Sequence, residues 1–306
     1  MHYLLEGLKA GWKNKRMMLV FYLVNLFFSI IVMIPFRSFL INYAGQSLSG
    51  KSLAEHFDLD FLFEFIRNNN GVVSMLTSIF LVVGSIYWLV GLLLSGGAYG
   101  VFSSGDRYSF PLFWKYAGHY FSRFVRLFLW SIPVFVIFYS IQFLENGVIR
   151  LLYGTDPYEN ILVWGAAIKT GLGYLGILIY YLTLDYARVY TVQTGETKMR
   201  RALWHGVKFT FRHFISTLSL SLILFLTGAV ALVLYNPLAD ALHRPNTLVV
   251  ILLLLVQQCY ILFRIYLRLT LYAGQTFLHS RKNVDQTVTS PEPGYDTGAL
   301  AAGMES

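Results

Sequence analysis

Four charged residues stand where charge is costly. Asp185 and Arg188 lie three apart at the end of one long apolar run, and Arg264 and Arg268 lie four apart at the end of another. Spacings of three and four put each pair on one helix face. A carboxylate at the depth of a membrane interface needs a partner, and arginines supply it. The pattern predicts a charge cluster joining the two runs. It serves either as a structural ion pair that sets helix register or as a headgroup, anion or proton site. Deeper in the apolar runs the polar residues are few: Asn25 with Ser29 in the first run, and Gln257 with Gln258 in the last. Such side chains bond between helices for about 0.6 kcal/mol on average, so interhelical bonding is their default use.

Enzymatic chemistry needs constellations that this chain lacks. None of the seven histidines forms the His-Glu-x-x-His pattern of a zinc protease. His2, His56, His119, His205, His213, His243 and His279 all fall outside the apolar runs, away from any serine that an intramembrane protease would activate. Gly97-Ala98-Tyr99-Gly100 with Ser103-Ser104-Gly105 lacks the lysine of a phosphate loop and reads as a turn. Cys259 is the only cysteine, which excludes a disulfide framework within one chain and a cysteine-rich metal site; it reads as a packing residue. The sequence carries no catalytic residue set, no metal site and no cofactor motif.

These residues are positioned by elements that composition alone identifies. Of 306 residues, 56% are hydrophobic and 13% charged, and the mean hydropathy is +0.55. Soluble domains carry roughly 25% charge. Six apolar runs approach or exceed the roughly 20 residues that a helix needs to cross a bilayer: about 17–34, 72–94, 124–141, 161–184, 214–234 and 248–263. Isolated runs in lipid must satisfy their own backbone, so each is a helix. The first is expected to stop at Pro35 and the second at Gly96-Gly97, while Pro133 should kink the third. Glycines in the fourth run (Gly165, Gly171, Gly173, Gly176) and in the second (Gly84, Gly91) suggest close helix contacts. The predicted fold is an all-α polytopic membrane helical bundle of six transmembrane helices in three hairpins, over 1–282.

Charge orients that bundle. Three quarters of the 24 lysines and arginines fall on the side that holds both chain ends; Arg37, Lys51, Arg67, Arg150, Lys169 and Arg244 are the exceptions. Positive residues favour the cytoplasm, so both termini are expected there. The net charge of +8 is then a topology signal and gives no reason to invoke nucleic acid. A basic inner face attracts anionic lipid headgroups, by about 1 kcal/mol per residue close to the surface. Residues 283–306 hold prolines, glycines and acids with little apolar surface, and are expected to form a disordered cytoplasmic tail.

One short element repeats on the inner side. Gly11-Trp12-Lys13, Phe113-Trp114-Lys115 and Leu203-Trp204-His205 each precede an apolar run. Each suits an amphipathic helix in the headgroup region, with Trp12, Trp114 and Trp204 as interfacial anchors. On the outer side, Ser52-Leu53-Ala54-Glu55 has a capping-box pattern, and Leu53, Phe57, Phe61 and Phe65 share a stripe, which suggests a helix along the interface. The second outer loop is expected at Glu145–Asn160 and the third at Tyr235–Asn246.

The run Asp185-Tyr186-Ala187-Arg188-Val189, followed by Arg201-Ala202-Leu203-Trp204-His205-Gly206-Val207-Lys208-Phe209, resembles a stretch of uncharacterised bacterial six-span membrane proteins. There an Asp-Tyr-Ala-Arg run leads into an Ala-Leu/basic-Phe helix. The layout is loosely similar to the membrane domain of some glycerophosphodiester phosphodiesterases, whose soluble catalytic domain has no counterpart here. The resemblance implies a bacterial cytoplasmic membrane and brings no activity. The run also resembles part of a phosphotransferase motif of phospholipid synthesis, but the further aspartates that would hold metal are missing. The expected role is an accessory or scaffold protein organising lipid or a membrane complex, with membrane lipids and a membrane-protein partner as its contacts. A transporter or lipid-translocating protein is the alternative.

Overall fold

Apolar side chains that cannot share water leave the backbone to bond to itself, and the described residues are helical almost throughout. The computed structural model describes residues 2–44, 63, 67, 69–154, 158–241 and 247–289. We number the helices α1 (His2–Lys13), α2 (Lys15–Ala44), α3 (Asn70–Ser104), α4 (Phe110–Ser140), α5 (Leu144–Tyr153), α6 (Glu159–Thr194), α7 (Met199–Arg212), α8 (Phe214–Ala241) and α9 (Thr247–Thr289). A 3₁₀ turn at Ile141–Phe143 joins α4 to α5. No strand occurs among the described residues. Among the described residues six helical stretches are long and apolar enough to cross a membrane, so the chain is an all-α polytopic bundle and an integral membrane protein. The expected stripe at Leu53, Phe57, Phe61 and Phe65 lies outside the described residues, as does 290–306 of the expected tail. Within that tail, α9 continues as helix through Thr289.

The helices outrun the apolar stretches that announced them. α2 passes through Pro35, α4 through Pro133 and α8 through Pro237. The expected stop at Pro35 therefore does not occur. One lost amide bond does not end a helix where the lipid offers no alternative partner for the rest of the backbone. The second span also continues past Gly96-Gly97 to Ser104, and the expected turn over Gly97–Ser104 is helix, buried as far as Phe102. Only Gly105, with φ +74°, turns the chain. Gly96 and Gly97 are small because α4 lies on them: a Cβ at Gly97 would stand 2.7 Å from the Phe113 ring. The second outer loop shrinks too, since α5 occupies 144–153. Cys259 is exposed on the surface of α9 rather than packed.

Packing is concentrated at one end of the bundle. The buried residues cluster where the lysines and arginines gather: Leu94, Tyr99 and Val101 of α3, Phe113 and Phe124 of α4, Val189 of α6, and Leu269 and Tyr272 of α9. We call this the basic end. Towards the opposite end most large side chains point outward, among them Leu81, Ile137, Phe225, Val233 and Leu248. Apolar groups in such numbers facing away from the protein belong against lipid tails.

Glycines bring α1 and α7 onto the spans. Gly7 and Gly11 seat α1 on α9, where a Cβ at Gly7 would meet the Thr270 carbonyl at 2.8 Å. Gly206 seats α7 on α6, where a Cβ would lie 2.5 Å from the Thr183 carbonyl and 2.9 Å from Ala187 Cβ. In α6, Gly165, Gly173 and Gly176 face α4, the 3₁₀ turn and α5, whereas Gly84, Gly91 and Gly171 have nothing within 4 Å. Gly206→Ala should therefore cost about 1–3 kcal/mol through overpacking against backbone that cannot yield. Gly84→Ala should be neutral or slightly stabilising. Thermal unfolding of the two purified variants in the same detergent checks the contrast.

Candidate functional site

Asp185 is the centre of a polar network at the basic end. Its side chain is 18% exposed and that of Arg188 13%. Arg188 Nη1 donates to Asp185 Oδ1 at 3.2 Å, one helical turn away on α6. Gln275 of α9 donates from Nε2 to Asp185 Oδ2 at 3.1 Å. The hydroxyl of Tyr99, on α3, donates to Gln275 Oε1 at 2.8 Å. Tyr99 and Gln275 are both fully buried, so these bonds are sheltered from competing solvent. Three spans are thus joined through one carboxylate.

Of the residues expected in the charge cluster, Asp185 and Arg188 pair directly. Arg268 lies beside the network: its Nε donates to the Tyr272 hydroxyl at 2.8 Å, and its guanidinium stands over the Phe21 ring. Tyr272 packs against Tyr99, with ring centroids 4.7 Å apart. Arg264 is exposed and stands outside the network. The link between the fourth and sixth spans is made by a glutamine instead. Nothing in the local sequence pattern marked Gln275 or Tyr99, because their meeting depends on how three helices are rotated.

The mid-span polar residues are used between helices. Tyr87 donates to Asn25 Oδ1 at 2.8 Å and Tyr22 to Gln258 Oε1 at 2.7 Å, while Gln257 is exposed. Bonds of this kind fasten α3 to α2 and α2 to α9.

Three histidines that the sequence scatters approach one another beside the network. His205 stacks on Tyr190 at 3.9 Å between centroids and lies 5.3 Å from His279. Phe209 stands between His279 and His213. Gln193 Oε1 accepts from His279 Nδ1 at 2.6 Å. His205 Nδ1 is shut from solvent and meets no partner. Burial, with a smaller contribution from Lys208, holds His205 below its ordinary pKa of 6.5. Among the described residues no His, Cys, Asp and Glu side chains group as a metal site.

A second feature lies on the surface of the same end. Arg126 and Trp130 of α4 face Lys198, Arg200, Arg201 and Trp204 at the start of α7 across a cleft of about 700 Å³. Arg200 stands over the Trp130 ring at 5.3 Å. Glu196, the nearby acid, is engaged: its Oε1 accepts the backbone N–H of Lys198 at 2.9 Å and of Thr197 at 3.1 Å. The first of these bonds holds its carboxyl below the usual range. The cleft therefore presents cations and indoles with their acid neighbour already occupied.

No family model matches the chain, and no curated protein or solved structure is significantly similar to it. Its site must be understood from its own geometry.

The three repeated tryptophans diverge. Trp12 and Trp204 are 68% and 71% exposed. Trp114 is half-buried, its Nε1 enclosed without a partner, within a helix that runs unbroken into the third span. α1 and α7, by contrast, are separate helices that end at Lys13 and Arg212.

Two outcomes follow. Asp185→Leu should cost about 3 kcal/mol because Arg188 is left enclosed without its counter-charge, and Asp185→Leu with Arg188→Leu should recover part of that loss; denaturation midpoints of the single and double variants give the comparison. For His205, burial resists protonation, so its contribution is intact above the ordinary pKa and falls away as pH drops below about 6. The melting temperature of the wild type relative to His205→Phe should be flat from about pH 8 to pH 7 and decline at lower pH.

Proposed function

We propose that the chain is an accessory or scaffold protein of a bacterial cytoplasmic membrane, which holds anionic lipid at its basic end and steadies lipid or a membrane complex around it. The cleft of Arg126, Lys198, Arg200 and Arg201 between Trp130 and Trp204 carries this reading. Guanidinium groups bind phosphate in a planar, bidentate manner, and indoles favour the headgroup layer. Both kinds of side chain meet here on exposed surface at the end of the bundle where the positive-inside rule expects the cytoplasm. Each arginine near an anionic surface adds about 1 kcal/mol, so several together outweigh thermal release.

The arrangement of the remaining polar groups supports a binding role over transport. Asn25 and Gln258 are engaged between helices, and the Asp185 network is packed into the tight end of the bundle. A path for a polar solute would require polar groups left free along the spans.

The test is reconstitution of the purified protein with labelled lipids. Native mass spectrometry should show anionic phospholipid retained over zwitterionic phospholipid, with the preference reduced about tenfold in Arg126→Gln/Arg200→Gln/Arg201→Gln. Liposomes carrying the protein should show neither solute flux nor lipid scrambling. A scrambling signal abolished by Asp185→Asn would replace the scaffold reading with lipid translocation.

A further inference from the structure

At the other end of the bundle a carboxylate is buried without a partner. Glu145, in the first turn of α5, is 8% exposed, and its Oε2 is closed off and has no hydrogen-bond partner among the described residues. It is not among the ion pairs formed by the described residues. The fold makes room for it deliberately: a Cβ at Gly165 of α6 would collide with Glu145 Oε1 and with Ile149 Cδ1. The carboxylate borders a cavity of about 450 Å³ between α5 and α6, whose other walls include Val148, Ile161, Trp164, Ile168 and Leu172. That size suits the reactive end of an amphiphile, since ligand pockets run from roughly 300 to 1,000 Å³.

An unpaired ionised carboxylate in apolar surroundings is strongly unfavourable unless a cation or donor reaches it. Lys169, one turn along α6 from Gly165, is engaged elsewhere, with Nζ over the Phe143 ring, 5.4 Å from its centroid. The cavity lies beside apolar surface that faces outward, with Leu151 84%, Trp164 72% and Ile168 55% exposed. An occupant thus arrives from the lipid phase, brings a cation that can donate a hydrogen bond, and carries an apolar body. The geometry points to a binding site for the primary ammonium of an aminophospholipid, with Glu145 accepting the N–H and the lipid's apolar portion lying along α5 and α6.

This site is separate from the basic cleft, and its test keeps the two apart. The full-length protein is equilibrated with equimolar phosphatidylethanolamine, phosphatidylcholine and phosphatidylglycerol, and the retained lipids are identified by native mass spectrometry. The wild type should retain phosphatidylethanolamine over phosphatidylcholine roughly tenfold, because a quaternary ammonium has no N–H to give. Glu145→Gln should lose that preference, and Gly165→Ala, which crowds the carboxylate without removing it, should weaken it. Arg200→Gln/Arg201→Gln should leave it unchanged while reducing phosphatidylglycerol. Melting curves of Glu145→Gln verify that it is folded when the comparison is made. Equal retention of the two zwitterionic lipids by the wild type, or an undiminished preference in folded Glu145→Gln, overturns the site. Displacement of phosphatidylethanolamine by micromolar 4-phenylbutylamine overturns the lipid as its occupant in favour of a small amine.

Discussion

Asp185 has to be satisfied at a depth where water is scarce, and much of the basic end is arranged around that requirement. Arg188 supplies the counter-charge from the same helix, Gln275 supplies a donor from α9, and Tyr99 holds the glutamine from α3. None of these partners is free to turn away, because Tyr99 and Gln275 have no exposed surface. A buried ion pair contributes little net stability by itself. Its effect is directional: with the carboxylate in place, only one rotation and depth of α3, α6 and α9 leaves every polar group bonded. The aromatic layer of Phe124, Tyr99 and Tyr272 then closes over the network.

Glycine supplies the other half of that packing. α1 and α7 lie so close to α9 and α6 that backbone replaces side chain at Gly7, Gly11 and Gly206. Both helices are therefore structural walls of the basic end as well as bearers of exposed tryptophan. An ion pair between Arg281 and Glu6, with Arg281 also over the Tyr3 ring, fastens α1 to the far part of α9. In lipid, where apolar groups gain little by leaving one apolar environment for another, such close backbone contacts and internal hydrogen bonds are what hold helices together. Among the described residues the opposite half of the bundle has fewer of either, and many of its large apolar side chains are turned outward.

Some parts of this arrangement were legible from the chain alone and some were not. The Asp185–Arg188 pair was, because three residues along a helix are always neighbours. Arg264 and Arg268 share a face by the same rule, yet only Arg268 faces the network, since the rule says nothing of what that face meets. Gly96 and Gly97 looked like punctuation and proved to be the floor under Phe113 and Tyr120. Glu145 looked like a loop residue; it became a buried acid when the chain continued as helix through a 3₁₀ turn. The histidines at 205, 213 and 279 had no shared motif, and ring contacts with Tyr190 and Phe209 unite them.

The amino-acid sequence by itself determined the class of protein, the number of spans and the gathering of positive charge at one end. Hydrophobic length and charge placement are properties of a chain read in one dimension, and the bilayer responds to them directly. Only the tertiary structure decided which polar side chains meet. Tyr99 and Gln275 are 176 positions apart, and Gln275 and Asp185 are 90 apart. Contacts over such separations depend on the rotation and tilt of whole helices, which are set by side-chain packing between them and leave no local periodicity to read.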